Sequence, residues 1–168
     1  MGKYNLELAG AEIDEITLNR HGDKLEISAD DATIFDRFAD GYDRLVKMTE
    51  EVPDKLDAVE KEYAEKESEE KGSSDISKTV AISKVRVAFC EDAVGIIDGI
   101  FGAGTVKKSF RDTYESIPDF LPDENMFLIF FEKMTPIMED IFNRKLDRDK
   151  KARRGRMMKY QPQRKDTK

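Results

Sequence analysis

At 168 residues, with 39% hydrophobic and 39% charged side chains, the chain has material for one core plus appendages, and far more charge than the roughly 25% of an average globular protein. No run of about 18 apolar residues exists, which excludes a helical membrane span. The first residues turn acidic without a signal-peptide stretch and the lone cysteine, Cys90, has no internal partner, so a cytosolic protein is expected. The net charge of −7 joins two unlike parts: residues 143–168 hold twelve Lys/Arg against three Asp, whereas residues 1–142 hold 17 Lys/Arg against 33 Asp/Glu. Such asymmetry points to an appended interaction tail on an acidic body.

In chain order, Tyr4, Leu6 and Leu8 alternate with polar residues as a half-buried strand does. Ile13, Ile16 and Leu18 precede the polar turn Asn19–Asp23, and Leu25 and Ile27 follow with period two. Residues 1–29 are therefore predicted to be a small β-hairpin or three-strand meander. Ser28 to Asp31 is a helix-start signal, with Asp30 as an acceptor for unpaired backbone N–H groups. After it, Phe35, Phe38, Tyr42, Leu45, Thr49, Val52, Leu56, Val59 and Tyr63 keep three- and four-residue spacing over four heptads, a coiled-coil seam. Gly41 weakens this helix slightly, and Pro53 is expected to kink or split it.

Lys71-Gly72-Ser73-Ser74 reads as a helix end, a turn and a new N-cap. A second helix follows from about Asp75 to Phe101, with Val80, Val85, Phe89, Ala93, Ile96, Ile97 and Ile100 on its apolar face. Residues 31–101 thus form an antiparallel helical hairpin. Gly102 suits a left-handed cap, Gly104 adds a permissive position, and Thr105 opens a short helix over 105–111. Ile117–Asp123 is a loop leading to a helix over 123–142, where Met126–Phe131 is apolar all round. Thr135-Pro136 kinks or restarts that helix. The basic segment 143–168 lacks the apolar content to offset its ordering entropy and is expected to be disordered. The body is then residues 30–142, and the fold class is mainly α: a helical bundle with a long antiparallel hairpin, a small N-terminal β element and a disordered basic C-terminal tail.

Catalytic chemistry has little to work with. His21 is the only histidine and falls in a turn; Cys90 lies at the edge of an apolar helix face and reads as a small buried hydrophobe. One His and one Cys make no triad and no zinc spacing. Carboxylate pairs such as Glu50/Glu51, Glu69/Glu70 and Glu91/Asp92 read as solvated helix faces, with no EF-hand loop among them. Gly102-Ala103-Gly104-Thr105 follows a helix rather than a strand and lacks a Walker lysine, so it reads as cap and linker. No enzyme, cofactor, metal site or small-molecule substrate is expected.

Two features invite partners. Met126, Phe127, Phe130, Phe131, Met134 and Met138 crowd one 13-residue stretch, which serves either a bundle core or an adaptable apolar surface. The basic segment, with Arg153, Arg154 and Arg156 at its centre, can track nucleic-acid phosphates, dock on an acidic protein or aid solubility. Only Tyr160 is available there for base stacking.

The order of segments resembles the small siphophage tail assembly chaperones. Asp31-Ala32 stands at a helix start with Phe35, Phe38 and Tyr42 following. Cys90-Glu91-Asp92-Ala93-Val94 leads to Ile97-Asp98-Gly99-Ile100-Phe101-Gly102-Ala103-Gly104-Thr105, with Lys108 and Phe110 beyond. The aromatic helix around Phe127–Phe131 and the Arg/Lys-rich end complete a likeness covering about residues 30–168. The resemblance implies a non-catalytic chaperone in the host cytoplasm, absent from the mature virion, that keeps the tape-measure protein soluble and helps recruit tail-tube subunits, with homo-oligomers allowed. Client contacts are expected at Phe127, Phe130, Phe131, Met134 and Met138, and an auxiliary basic arm at Arg153, Arg154 and Arg156. The alternative is a nucleic-acid-associated helical protein that binds phosphates through that arm.

Overall fold

The N-terminal hairpin forms where the period-two pattern meets a turn built for it. In the computed structural model, which describes residues 1–69 and 75–160, β1 (Asp14–Thr17) pairs antiparallel with β2 (Lys24–Ile27), Ile16 opposite Leu25 and Asp14 opposite Ile27. Asn19 organises the reversal, its side-chain oxygen accepting from the His21 N–H at 2.8 Å while Gly22 takes φ +84°. Residues 1–13 are not a strand, so the expected third strand is missing, and Tyr4, Leu6 and Leu8 are exposed. The alternation gives that segment the capacity to pair, but here nothing lies alongside it.

The heptad seam winds into α1 (Ile34–Glu69), one helix running through Pro53. It begins three residues after Asp31, whose carboxylate accepts from the Thr33 N–H at 2.9 Å and its hydroxyl at 2.8 Å. Pro53 removes one hydrogen bond but does not divide the helix, because buried Leu45 and Val52 anchor the turns before it and half-buried Leu56 the turn after. The expected turn at residues 71–74 lies outside the described residues. From α2 (Asp75–Phe101) the chain returns antiparallel. Gly41 is buried in α1 where Ile96 and Ile100 of α2 press against it; a Cβ there would overlap Ile100 Cδ1 and stand 3.0 Å from Ile96 Cγ2. Gly41 therefore does more than weaken a helix: its missing side chain makes room for the two isoleucines.

Gly102, at φ +117°, ends α2 with its N–H on the Asp98 carbonyl at 2.9 Å. The predicted single helix over 105–111 is instead two short ones meeting at Phe110, α3 (Thr105–Ser109) and α4 (Arg111–Ser116). The loop after α4 leads to Asp123, whose carboxylate accepts the Met126 N–H at 2.9 Å and caps α5 (Glu124–Tyr160). Pro136 neither breaks nor restarts α5, since Met134 and Met138 on either side of it are buried.

The helical part of the expected tail is the main revision. α5 continues 18 residues past Phe142, so Asn143 is a boundary of charge and not of structure. Composition counts poorly here because it omits partners. Arg144 bonds Asp140 one turn back at 3.1 Å and Asp14 of β1 at 2.9 Å; Lys145 bonds Asp149 at 3.0 Å and Asp30 at 2.8 Å. Such i,i+4 pairs add to the good helix propensity of Lys, Arg, Met and Ala. Residues 161–168 lie outside the described residues.

The expected mainly helical architecture is what forms. α5 lies antiparallel to α1, with Phe142 edge-on to Phe35 at 4.7 Å and Phe131 at 6.0 Å from Phe38. Phe89, Ala93, Ile96, Ile97 and Ile100 of α2 complete a core that reaches Leu25 and Ile27 of the hairpin. Replacing Gly41 by Val should cost about 1–3 kcal/mol by overpacking. Gly95→Ala, on the exposed side of α2 with free space around it, should gain about 0.5–1 kcal/mol from helix propensity. Urea unfolding of the two variants checks this; equal stability for Gly41→Val and wild type would contradict the close approach of α1 and α2.

Candidate partner-binding surface

α5 carries a stripe of its own. Phe127, Phe131, Met134, Met138 and Ile141 recur at four and three residues, and all five are buried. Four of the five apolar residues expected at a partner interface are therefore core: Phe127, Phe131, Met134 and Met138 face α1, α2 and the hairpin. The fifth, Phe130, is half-buried, edge-on to Phe101 at 6.0 Å and to Phe131 at 5.7 Å. The run Met126–Phe131 hid this stripe from sequence reasoning because every residue in it is apolar; continuing the heptad to Ile141 would have revealed it.

Apolar surface is nonetheless left over on both flanks of the stripe. Leu128, Ile129, Ile137, Phe142 and Leu146 are exposed although large and apolar. On one flank, Ile129, Phe130 and Ile137 face Ile16 and Leu18 of the hairpin across an open groove of ≈ 500 Å³, with Phe110 at its edge. On the other, Leu128 and Pro136 face Tyr42 and Val46 of α1 across a second groove of ≈ 330 Å³. Neither flank is a cleft with convergent polar groups of the kind that holds a small ligand. Among the described residues no group of three His, Cys, Asp or Glu stands together to hold a metal ion, and no helix is long and apolar enough to cross a membrane.

Charge is arranged around these grooves. Asp14 and Asp30, with Glu12 just before β1, hold the start of the basic segment through Arg144, Lys145 and Arg148. Asp30, expected to cap α1, instead accepts Lys145 Nζ at 2.8 Å and the Glu12 N–H at 2.9 Å. The Lys145 ammonium and then that N–H hold the Asp30 carboxyl below the ordinary carboxylate range. At the other end of the hairpin, Asn19 and then Arg111 do the same to Asp23, and the Asn19 amide donates to the Lys108 carbonyl at 2.8 Å. Beyond Asp149 the pattern changes: among the described residues, Lys150, Lys151, Arg153, Arg154, Arg156 and Lys159 are exposed and none has a carboxylate partner. The three arginines singled out from the sequence thus stand on a helical extension.

His21 sits in its turn as expected, but its ring also bonds Asp112 at 2.6 Å, joined by Arg20 at 2.9 Å. The His21 bond is the main reason the Asp112 carboxyl lies below its ordinary range. Cys90 is buried beside the start of α5. Burial, then the Asp123 and Glu124 charges, push its thiol up, the opposite of a reactive cysteine. One structural role had no sequence signal. The Asp98 carboxylate accepts the Val106 N–H at 3.1 Å and the Gly104 N–H at 3.3 Å, capping α3 from inside α2. In the sequence Asp98 belongs to the Ile97–Thr105 block that carries the resemblance, where no capping role is assigned to it.

Comparison with family models, with curated proteins and with solved structures finds no match.

Because the Asp30 pKa is lowered by folding, its contribution is present at neutral pH and is lost as pH falls through the folded-state value. The Glu12 amide resonance should titrate with a midpoint below the ordinary aspartate range. Asp30→Asn should abolish that titration and speed tryptic cleavage at Lys145 several-fold at neutral pH. Unaltered cleavage would mean that the Asp30 contacts do not hold the hairpin to α5.

Proposed function

We propose that this protein is a non-catalytic assembly chaperone of the siphophage tail type, acting in the host cytoplasm and absent from the finished particle. Its client on this reading is the long, apolar, helical tape-measure protein. The observation that carries the reading is the pair of apolar grooves flanking α5, with Leu128, Ile129 and Ile137 exposed along them. An amphipathic client helix laid into such a groove buries its apolar stripe and is withdrawn from aggregation. The resemblance in segment order, from Asp31-Ala32 through Ile97–Thr105 to the Phe-rich helix, supports the same assignment. The cations at the end of α5 then serve as an auxiliary arm that recruits acidic tail-tube subunits.

Co-expression with a tape-measure protein should keep the latter soluble and allow the two to co-purify. Ile129→Lys with Ile137→Lys should weaken client binding at least about a hundredfold, since each buried aliphatic side chain contributes about 1.5–3 kcal/mol and about 1.4 kcal/mol is tenfold. Phe127→Leu changes the core rather than the groove and should leave client binding near wild type in folded protein. A client equally insoluble with and without this protein removes the proposal.

A second reading rests on one specific observation, the run of unpaired cations from Lys150 to Lys159 on an exposed helix. Such a helix can neutralise phosphates, and binding would then fall steeply with salt. In a gel shift with duplex DNA or RNA at low salt, retention should vanish when the chain ends at Asp149. No retention by the full chain eliminates this reading.

A further inference from the structure

The groove between β1 and α5 has a main-chain wall as well as apolar side chains. Ile16, Thr17 and Leu18, three successive residues, line it, so the chain presents its edge there as well as one face. Among the described residues, β1 pairs only with β2. The Leu18 N–H donates to the Asp23 carbonyl at 2.8 Å, which sets the alternation of the ladder: Leu18, Ile16 and Asp14 direct their main-chain groups at β2, and Thr17 and Glu15 direct theirs outward. Among the described residues those outward groups bond to no other main chain. An unpaired edge beside an apolar helix is a template for an added strand.

A segment of matching character stands next to it. Tyr4, Leu6 and Leu8 alternate with Asn5 and Glu7, and their exposures are 96%, 83% and 78%. No residue from 1 to 11 makes a main-chain hydrogen bond to another main chain among the described residues. The segment is tethered at Glu12, whose N–H bonds Asp30 and whose carbonyl accepts Ser28 Oγ at 2.7 Å, immediately before β1. Between tether and segment lie Ala9-Gly10-Ala11, small residues that include a glycine with open space around it. A reversal over these three residues sets Leu8 opposite Glu12, Asn5 opposite Glu15 and Tyr4 opposite Ile16. Lys3 and Asn5 then meet the free main-chain groups of Thr17 and Glu15. Because the side-chain period is two, Tyr4 and Leu6 fall on the face of Ile16, toward α5.

We propose that this groove is a binding site for an extended segment with alternating apolar side chains, added as a third strand, and that its occupant is the chain's own residues 3–8. The tether favours the chain's own segment over a free one, since a three-residue loop closes at small entropic cost and the segment is present at high effective concentration. The bound segment covers Ile129 and Ile137. On the chaperone reading, it therefore guards one client groove until a client displaces it.

The test needs no client, so its outcome is independent of that reading. Amide exchange at Thr17 and Glu15 is compared in the full-length protein and in full-length Tyr4→Lys/Leu6→Lys, substitutions outside the core that leave the fold intact. Exchange at both amides should be at least tenfold faster in the variant, with the α2 core amides unchanged. In a Gly2→Cys/Cys90→Ala protein, a nitroxide at position 2 should broaden the methyl signals of Ile129 and Ile137. Equal exchange in the two proteins, or no broadening, overturns the proposal. Protection and broadening that grow with protein concentration overturn the assignment to the chain's own segment and transfer it to a second copy.

Discussion

Everything in this fold depends on α1 and α2 packing closely enough for α5 to lie in the groove between them. Gly41 sets that spacing, because Ile96 and Ile100 occupy the volume that any other side chain would take. With those isoleucines in place, Phe101 comes to within 6.2 Å of Phe38, and Phe131 settles against both Phe38 and Tyr42. Edge-on and tilted aromatic contacts of this kind tolerate little displacement before their favourable geometry is lost. The same seating of α5 determines which of its residues are consumed by the core and which are left as apolar flanks. The surface proposed for a client is thus a remainder of the packing rather than a separate patch.

The charge split has two layers in three dimensions. Arg144, Lys145 and Arg148 are spent inside the molecule, on acids of the N-terminal region. These are exposed pairs, and individually such pairs contribute little to stability. Together they nonetheless fix where the hairpin sits on α5. Among the described residues, the cations from Lys150 to Lys159 are not used in this way and are exposed. A basic segment that looked uniform in composition is therefore an internal clasp followed, over residues 150–159, by exposed cations without a carboxylate partner among the described residues.

How much of this was legible follows from what each signal measures. The α1 helix was readable because apolar residues recur from Phe35 to Val52 at helical spacing, although burial is deepest at Ile34, Gly41, Leu45 and Val52 while Phe35 and Phe38 are half-buried and Tyr42 is exposed. The end of α2 was readable because Gly102 takes a backbone conformation that other residues avoid. The hairpin was readable from its turn, where Asn19 bonds the chain that follows it. The Phe and Met residues of α5 were misassigned because residue type reports hydrophobicity and not direction. Only the phase of the heptad separates buried Phe131 from exposed Leu128. The helix beyond Asn143 was missed for a different reason: Asp14, Asp30 and Glu12 lie more than a hundred residues away. Asp98 was invisible as a cap because the N–H groups of Gly104 and Val106 that donate to it are brought near only by the turn at Gly102–Gly104. Of the expected partner residues, Arg153, Arg154 and Arg156 are on an accessible surface, as is part of Phe130.

The clasp also bears on how the chain reaches its final state. The Arg144–Asp14 contact spans 130 positions and the Lys145–Asp30 contact 115. Contacts of such separation form late, since a long loop must close before they contribute. During synthesis the α1–α2 hairpin can assemble from neighbouring sequence, while Glu12, Asp14 and Asp30 wait for Arg144, Lys145 and Arg148 of α5. The hairpin is therefore held in two steps, first on α3 and α4 through Asn19, His21 and Asp23, and then on α5 through the clasp.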